Sequence, residues 1–198
     1  MNWLAHLQLA GDRTFERLGQ LAGDFVRGLG IADVDPDLRP GLRAHRAIDA
    51  FTDAHPMVRR SRARLVPAGR FSGVLVDVLY DHVLARDWPR HTPGQRPLRA
   101  FVDRVHVELV EHRDRLPPDL RDALPRLIGE DWLASYGSTD GLRRILVRME
   151  GRLRRPAGFS EVVDRLDSLR APLSRDFAAF WPDLVDFATR ERAARERT

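Results

Sequence analysis

The sequence contains no cysteine and no lysine, and each absence excludes whole classes of chemistry. All 33 basic residues among the 198 are arginine. Without cysteine the chain has no thiol nucleophile, no disulfide bond and no zinc–thiolate site. Without lysine it has no Schiff-base amine and no phosphate-loop lysine. These absences favour chemistry that uses carboxylates, imidazoles and a metal ion.

Long hydrophobic runs are missing as well. No uninterrupted apolar stretch approaches the roughly 20 residues that a membrane-spanning helix needs. Residues 1–10 are largely apolar, but they lack a basic start and a cleavage site, and the charged residues Asp12 and Arg13 follow at once. We therefore expect a soluble cytoplasmic protein that does not associate with a membrane.

Charge is abundant but nearly balanced. The 33 arginines face 29 acidic residues, which leaves a net charge of +4 and a calculated isoelectric point near 10.6. The isoelectric point is high because arginine stays protonated to above about pH 12. A basic helical nucleic-acid-binding protein is one possible interpretation. Against it, the charges are balanced along the chain and only two tyrosines are present for stacking on bases, so we predict no nucleic-acid partner.

Apolar residues recur at helical spacing along most of the chain, whereas strand-like alternation is scarce. The pattern predicts helices over 15–29, 41–52, 71–88, 97–113, 119–128, 139–152, 159–170 and 171–190, with a charged tail that frays. We predict one all-α domain over residues 1–198, with roughly eight to ten helices and the last eight or so residues frayed.

Acidic side chains stand inside the most apolar predicted helix. Asp77 and Asp81 are four residues apart and share a helix face, and His82 follows directly. Two like charges in apolar surroundings are costly unless a cation compensates them. Each residue alone could be explained by an arginine partner or by a place in the core. For the two aspartates together, a metal ion is the better explanation.

A second group combines imidazole and carboxylate. His45, Asp49 and Asp53 are spaced i, i+4 and i+8, so they lie along one side of a predicted helix. Such a ligand set suits manganese, iron or zinc. Asp53 could equally cap the segment after His55, and Asp49 could pair with Arg43 or Arg46.

A third candidate ligand is Asp24, which lies among apolar residues on the first long predicted helix. Gly19 and Gly23 are four residues apart there, and glycine costs about 1 kcal/mol against alanine inside a helix, so the pair indicates close backbone packing. His6, in an otherwise apolar N-terminal helix, could face the same centre or could simply be a core histidine.

Acids and imidazoles among apolar residues in three separate segments are typical of a helical metal-dependent phosphohydrolase. A divalent ion lowers the pKa of bound water and neutralises charge on phosphoryl oxygens. Arginine holds phosphate bidentately, so Arg27 and Arg46, which are close to the acids in sequence, are candidate phosphate-binding residues. Ordinary salt bridges would explain these two arginines equally well.

The segments 1–7, 23–28, 45–53 and 77–88 together resemble the bacterial acyl carrier protein phosphodiesterase family, and 154–156 and 177–182 resemble its weaker C-terminal landmarks. The resemblance implies hydrolysis of the phosphodiester between 4′-phosphopantetheine and a serine of holo-acyl carrier protein. It also implies a fold similar to the HD phosphohydrolases. The implied cofactor is a divalent cation, typically manganese, with magnesium or iron as alternatives.

The resemblance also implies roles for individual residues. Asp24 carries over most securely as a metal ligand, and the rest of the site comprises His45, Asp49, Asp53, Asp77, Asp81 and His82. His6 is a further candidate metal ligand because of its place in the apolar N-terminal helix. Asp24, Asp81 and His82 are the implied catalytic residues. The adjacent pair reads Asp81–His82, whereas the HD pattern has histidine before aspartate, so ligands cannot be assigned one by one from the HD family.

Acyl carrier proteins are small and acidic, so an arginine-rich face would attract one. The candidate docking residues are Arg59 and Arg60, with Arg62 and Arg64 nearby, and the stripe Arg144, Arg148 and Arg152, with Arg155 just beyond. In a chain without lysine, arginine also takes over the ordinary surface role of lysine, which is the competing interpretation.

The alternative substrate for the same site is another phosphate ester, such as a nucleotide or an alarmone. A third possibility is that the protein binds the carrier protein without catalysing a reaction.

Overall fold

A computed structural model describes residues 1–26, 28, 30–154 and 157–197, without the side chains of residues 66, 67 and 160. The described part is all-α, as predicted. Its α-helices are α1 (Trp3–Leu9), α2 (Thr14–Ala22), α3 (Arg39–Ala54), α4 (Pro56–Arg64), α5 (Ser72–Arg86), α6 (Trp88–His91), α7 (Leu98–Glu111), α8 (Pro118–Gly129), α9 (Trp132–Ser135), α10 (Thr139–Glu150), α11 (Phe159–Asp164) and α12 (Leu166–Glu196). Short 3-10 turns occur at Gly23–Phe25, Ile31–Asp33, Pro36–Leu38, Val66–Phe71 and Arg113–Arg115. None of the helices in the described ranges has the length and apolar character needed to cross a membrane.

The centre of the molecule is α5. The residues of α5 are apolar on all sides of the helix, and from Leu75 to Ala85 nearly every side chain is buried. This pattern is expected for a helix that other helices enclose. The N-terminal helix α1 packs against both α2 and α5. This arrangement brings the start of the chain to the same place as the acids of α3 and α5.

Two glycines allow α2 and α3 to cross at very short distance. A Cβ atom added to Gly19 would lie 2.1 Å from the carbonyl oxygen of Leu38, and one added to Gly41 would lie 2.1 Å from the carbonyl oxygen of Glu16. Backbone atoms fill the space on both sides, so only glycine fits at this crossing. The close packing predicted from Gly19 is therefore confirmed.

Replacing Gly41 with alanine is expected to lower the free energy of unfolding by about 3 kcal/mol, near the upper end of what overpacking costs, because α2 and α3 must move apart. Gly129→Ala is the matched control, since a Cβ at Gly129 meets no atom within 4 Å. Alanine should be neutral or slightly stabilising there. Denaturant titration measures both variants, and equal stability of the two would contradict the packing described here.

The helix boundaries differ from the predicted ones in two parts of the chain. The helix predicted over 15–29 stops at Ala22 and continues as the 3-10 turn Gly23–Phe25, so Asp24 lies on a turn. The two helices predicted over 159–190 are instead the short α11 and one long α12, which contains Pro172 and Pro182 and extends through the charged residues to Glu196.

The continuity of α12 has a physical reason. A proline inside a helix costs about 3 kcal/mol because it removes a backbone hydrogen bond. Against this cost, α12 buries an apolar residue on nearly every turn, and its buried apolar side chains are Leu166, Leu169, Leu173, Phe177, Phe180, Trp181, Leu184 and Ala188. Tertiary packing therefore outweighs the local preference to break.

Candidate metal centre and its cleft

The centre of the site is the carboxylate of Asp49 on α3. Its Oδ1 lies 3.1 Å from Nε2 of His6, and its Oδ2 lies 3.1 Å from Nε2 of His45. The two imidazole rings stack, with their centroids 4.1 Å apart. Ligand atoms of these three residues all lie within 4.8 Å of one another, which makes them the group of three in the described part of the chain that could hold a metal ion.

Gln20 on α2 fixes the orientation of the His6 ring. The Nδ1 atom of His6 lies 3.2 Å from the side-chain oxygen of Gln20, and its Nε2 atom faces Asp49. Burial, together with the neighbouring His45, lowers the pKa of His6 to about 4. His6 is therefore a neutral imidazole at neutral pH, the form that binds metal ions.

His45 is held close to the backbone of the turn that carries Asp24. A Cβ atom on Gly23 would lie 2.4 Å from the His45 ring, so glycine is required for this approach. The His45 Nε2 atom lies 3.9 Å from Oδ1 of Asp24. The second carboxylate oxygen of Asp24 accepts a hydrogen bond of 2.8 Å from the indole of Trp3. Asp24 thus faces the same group from an exposed position.

Asp77 on α5 completes the set of acids. The amino group of Met1 lies between α3 and α5, 3.1 Å from Asp49 and 3.3 Å from Asp77. Although burial disfavours its charge, the carboxylates of Asp77 and Asp49 raise the pKa of this amino group to about 10. Burial raises the pKa of Asp77. Burial also opposes the charge on Asp49, but hydrogen bonds from His45 and His6 outweigh it and hold the pKa of Asp49 below its usual range.

The donor set fits a divalent cation. Two imidazole nitrogens and an oxygen of Asp49 converge, with Asp24 and Asp77 on either side. The buried Oδ1 atom of Asp77 has the Met1 amino group as its neighbour, 3.3 Å away. A neutral imidazole has one unprotonated ring nitrogen, whose lone pair can bind a cation.

Asp81 is close in sequence but has a different environment. Its side chain is fully buried and accepts two backbone hydrogen bonds, from Leu4 N–H at 2.7 Å and from Ala5 N–H at 3.1 Å. These donors belong to the first turn of α1, where helical N–H groups lack backbone partners. Burial raises the pKa of Asp81 to about 7. Asp81 therefore stabilises the packing of α1 against α5.

Replacing Asp81 with alanine is expected to destabilise the fold by about 1–3 kcal/mol for each of the two backbone donors that it leaves buried and unpaired. Asp81→Asn retains a carbonyl acceptor, so its loss should be smaller. Asp103→Ala serves as the surface control, since Asp103 forms an exposed pair with Arg99 and should change stability by less than about 1 kcal/mol. Thermal unfolding compares the three variants, and an Asp81→Ala protein as stable as the control would exclude the anchoring role.

The structure does not bring His82 or Asp53 into the group. Nδ1 of His82 donates to the carbonyl oxygen of Tyr136 at 2.7 Å, and its ring lines a small cavity with Arg86 and Arg170. His82 lies about 100° around α5 from Asp81, which turns it away from α1. Asp53 forms an exposed ion pair with Arg62, and the residue that caps α4 is His55.

The predicted arginines differ widely in their surroundings. Arg46 is exposed on α3, and Arg27 and Arg155 lie outside the described residues. Two arginines predicted to dock a carrier protein already have partners: Arg60 lies 3.5 Å from the buried Asp176, and Arg148 pairs with Glu130. Arg59 and Arg144 are exposed.

An aromatic cleft opens beside the acids, and sequence reasoning missed most of it. A cavity of about 350 Å³ contacts Asp24 and Asp77, and its walls include Trp3, Phe25 and Trp132. A second cavity of about 300 Å³ shares these three aromatic residues and extends the cleft towards α8. Trp3 and Phe25 fall in segments that the resemblance covers, but no spacing in the sequence connects either of them with Trp132.

Comparison with known proteins gives one consistent result. The profile of the family described as acyl carrier protein phosphodiesterase matches residues 1–184. The acyl carrier protein phosphodiesterase of Salmonella agona (strain SL483) is 33% identical over 192 residues, which cover 96% of this chain and 99% of the relative. The protein of the same name from Yersinia enterocolitica is 30% identical over 189 residues, covering 95% and 97% of the two chains. No solved structure matches the chain significantly.

Proposed function

The chain belongs to the acyl carrier protein phosphodiesterase family, a family of phosphodiester hydrolases, and we propose that its substrate is holo-acyl carrier protein. The bond that it hydrolyses joins phosphorus to the serine oxygen of the carrier. The products are the apo-carrier and 4′-phosphopantetheine. We further propose that the reaction depends on a divalent cation, with manganese as the first candidate.

The observation that carries this proposal is the convergence of His6, His45 and Asp49 within 4.8 Å, with Asp24, which lines the open cleft, 3.9 Å from His45. These three residues would hold the ion, with Asp24 and Asp77 beside them. When bound, a divalent cation lowers the pKa of coordinated water and neutralises charge that develops on the phosphoryl oxygens. A mixed set of imidazole and carboxylate suits manganese or iron.

The chain's own residues then orient the reacting groups. Trp3 holds one oxygen of Asp24 and leaves the other directed towards His45. Asp24 is exposed to the cleft, so its carboxylate is placed to accept a proton from the water that attacks phosphorus. Gln20 orients the His6 ring, and Gly23 lets the His45 ring approach the turn.

The carrier protein itself is too wide to enter the cleft and must dock beside it. The helix α10 borders the opening, since Met149 and the following Arg152 line it. On the outer side of α10, Arg144 is exposed and Val147 is 58% exposed. Positive charge around an exposed apolar side chain complements a small acidic protein. We place the carrier-binding surface here, on Arg144, Val147 and Arg148, which we name the α10 face.

A panel of phosphate esters tests the proposal. The purified protein is stripped of metal, then assayed with and without manganese on holo-acyl carrier protein, a cyclic nucleotide and guanosine tetraphosphate. The expected result is manganese-dependent conversion of the holo-carrier to the apo-carrier, with little turnover of the nucleotides. Hydrolysis of a nucleotide with the holo-carrier untouched would contradict the carrier assignment, and binding of the carrier without turnover would contradict catalysis.

A further inference from the structure

The cleft beyond the acids is longer than a phosphate group requires. Its two cavities, of about 350 and 300 Å³, share Trp3, Phe25, Trp132 and Arg152. The first cavity contacts the acids Asp24 and Asp77. The second leads away from them to a polar end, whose lining residues include Asp119, Asp122 and Arg126. The cleft therefore runs from Asp24 and Asp77, past aromatic walls, to a polar end.

The walls of the cleft are aromatic and already packed against one another. The ring of Trp3 lies 5.5 Å from that of Phe25 and 5.6 Å from that of Trp132. Trp3 and Phe25 remain partly exposed, so their faces are available to a ligand. The Tyr136 hydroxyl provides a polar position in the first cavity, where it accepts hydrogen bonds from Asn2 and Trp132. Such walls suit an uncharged chain that carries both apolar and hydrogen-bonding groups.

Positive charge lies at the junction of the two cavities. The guanidinium of Arg152 lies over the Trp132 ring at 5.9 Å, and that of Arg148 lies over the same ring at 5.4 Å. Burial and the nearby charges of Arg126 and Arg148 lower the pKa of Arg152. Within the described ranges, neither Arg152 nor Arg126 makes an ion pair with a carboxylate. A guanidinium that borders an open cavity without a carboxylate partner, as Arg152 does, is placed to bind an anionic group of a ligand.

We infer, on the basis of the proposed function, that this cleft binds the 4′-phosphopantetheine arm, with its phosphate between Asp77 and Arg152 and its pantetheine chain along Trp3, Phe25 and Trp132. A carrier phosphodiester has two arms, of which one is a folded protein and the other a narrow chain. Only the narrow chain fits a cleft of this size. Its dimethyl group matches the aromatic walls, and its amide groups match the polar positions.

Tryptophan fluorescence measures this binding without any turnover. The chain has four tryptophans, and Trp3 and Trp132 line the cleft, whereas Trp88 and Trp181 are buried elsewhere. Titration with pantetheine, which lacks phosphate, and with 4′-phosphopantetheine should change the emission of the metal-loaded protein. The phosphorylated ligand should bind more tightly.

Two variants separate the contribution of the aromatic walls to ligand binding from that of the arginine charge. Phe25→Ala should weaken the binding of both ligands about tenfold, the factor that corresponds to 1.4 kcal/mol. Arg152→Gln, at an exposed position that does not threaten the fold, should weaken only 4′-phosphopantetheine, by about the same factor. Arg175→Gln is the matched control, because Arg175 is exposed on α12, away from the cleft, and it should bind both ligands like the wild type.

Holo-carrier hydrolysis, measured in parallel, separates this inference from the proposed function. If the wild type hydrolyses the holo-carrier but neither ligand changes its fluorescence, the cleft assignment is wrong and the proposed function stands. Equal loss of pantetheine and phosphopantetheine binding in Arg152→Gln would also overturn the place given to the phosphate. If the wild type does not hydrolyse the holo-carrier, the proposed function itself fails.

Discussion

Asp49→Ala is expected to lose metal binding and to lower kcat/KM on holo-acyl carrier protein by about a thousandfold or more, because a bound metal supplies several kcal/mol of transition-state stabilisation. The Asp49 carboxylate contacts His6, His45 and the Met1 amino group. Removing it therefore takes away the group around which the site is arranged. The protein should stay folded, since the Asp49 side chain is 39% exposed.

Asp53→Ala is the matched control for this prediction. It removes the same functional group one helical turn further along α3, where the carboxylate pairs with Arg62 at the surface. Metal content by mass spectrometry, thermal unfolding and steady-state kinetics on the holo-carrier compare the two variants. Equal losses of activity would show that the ligand set extends along α3 beyond the group seen here. Full activity and full metal content in Asp49→Ala would exclude the proposed centre.

The variant Arg144→Glu combined with Arg148→Gln is expected to raise KM for the holo-carrier by about 10–100-fold, since like charges placed opposite an acidic partner cost several kcal/mol. Neither Arg144 nor Arg148 lines the cleft, so kcat should change little. The effect should shrink as salt is added, because exposed charges are screened beyond about 10 Å at 0.1 M ionic strength. Steady-state kinetics over a salt series measures all three expectations.

Arg59→Glu tests the competing docking site on α4. Arg59 is exposed, and α4 packs against α12, whereas no residue of α4 lines the cleft. This variant should bind the carrier like the wild type. A raised KM in Arg59→Glu, with an unchanged KM in the α10 variant, would show that the carrier binds at α4 and not at the α10 face.

The all-α class could be predicted because apolar residues follow a helical period, and the packing of α2 on α3 could be anticipated from Gly19. The end of α2 could not. The residues after Ala22 continue the helical pattern, yet the chain turns there so that Asp24 and the His45 ring can approach each other. The continuity of α12 could not be predicted either. Pro172 predicts a break in the helix, and only contacts with residues distant in sequence compensate for the cost of the proline.

The candidate site was partly visible in the sequence. Spacing along one helix indicated His45 with Asp49, and the structure places the candidate His6 of α1 beside them. Spacing alone could not separate Asp77 from Asp81, because the difference depends on which side of α5 receives the first turn of α1. Asp81 meets backbone N–H groups there, whereas Asp77 meets the Met1 amino group. The aromatic cleft joins α1, the turn after α2 and α9, a combination that no local pattern shows.

The most direct test of the central claim is hydrolysis of holo-acyl carrier protein in ¹⁸O-labelled water, with manganese and after its removal, followed by mass spectrometry of both products. Attack of water on phosphorus predicts one ¹⁸O atom in the released 4′-phosphopantetheine, an unlabelled serine in the apo-carrier, and no release by metal-free protein or by Asp49→Ala. Label in the carrier serine, or undiminished release without metal, would contradict the account.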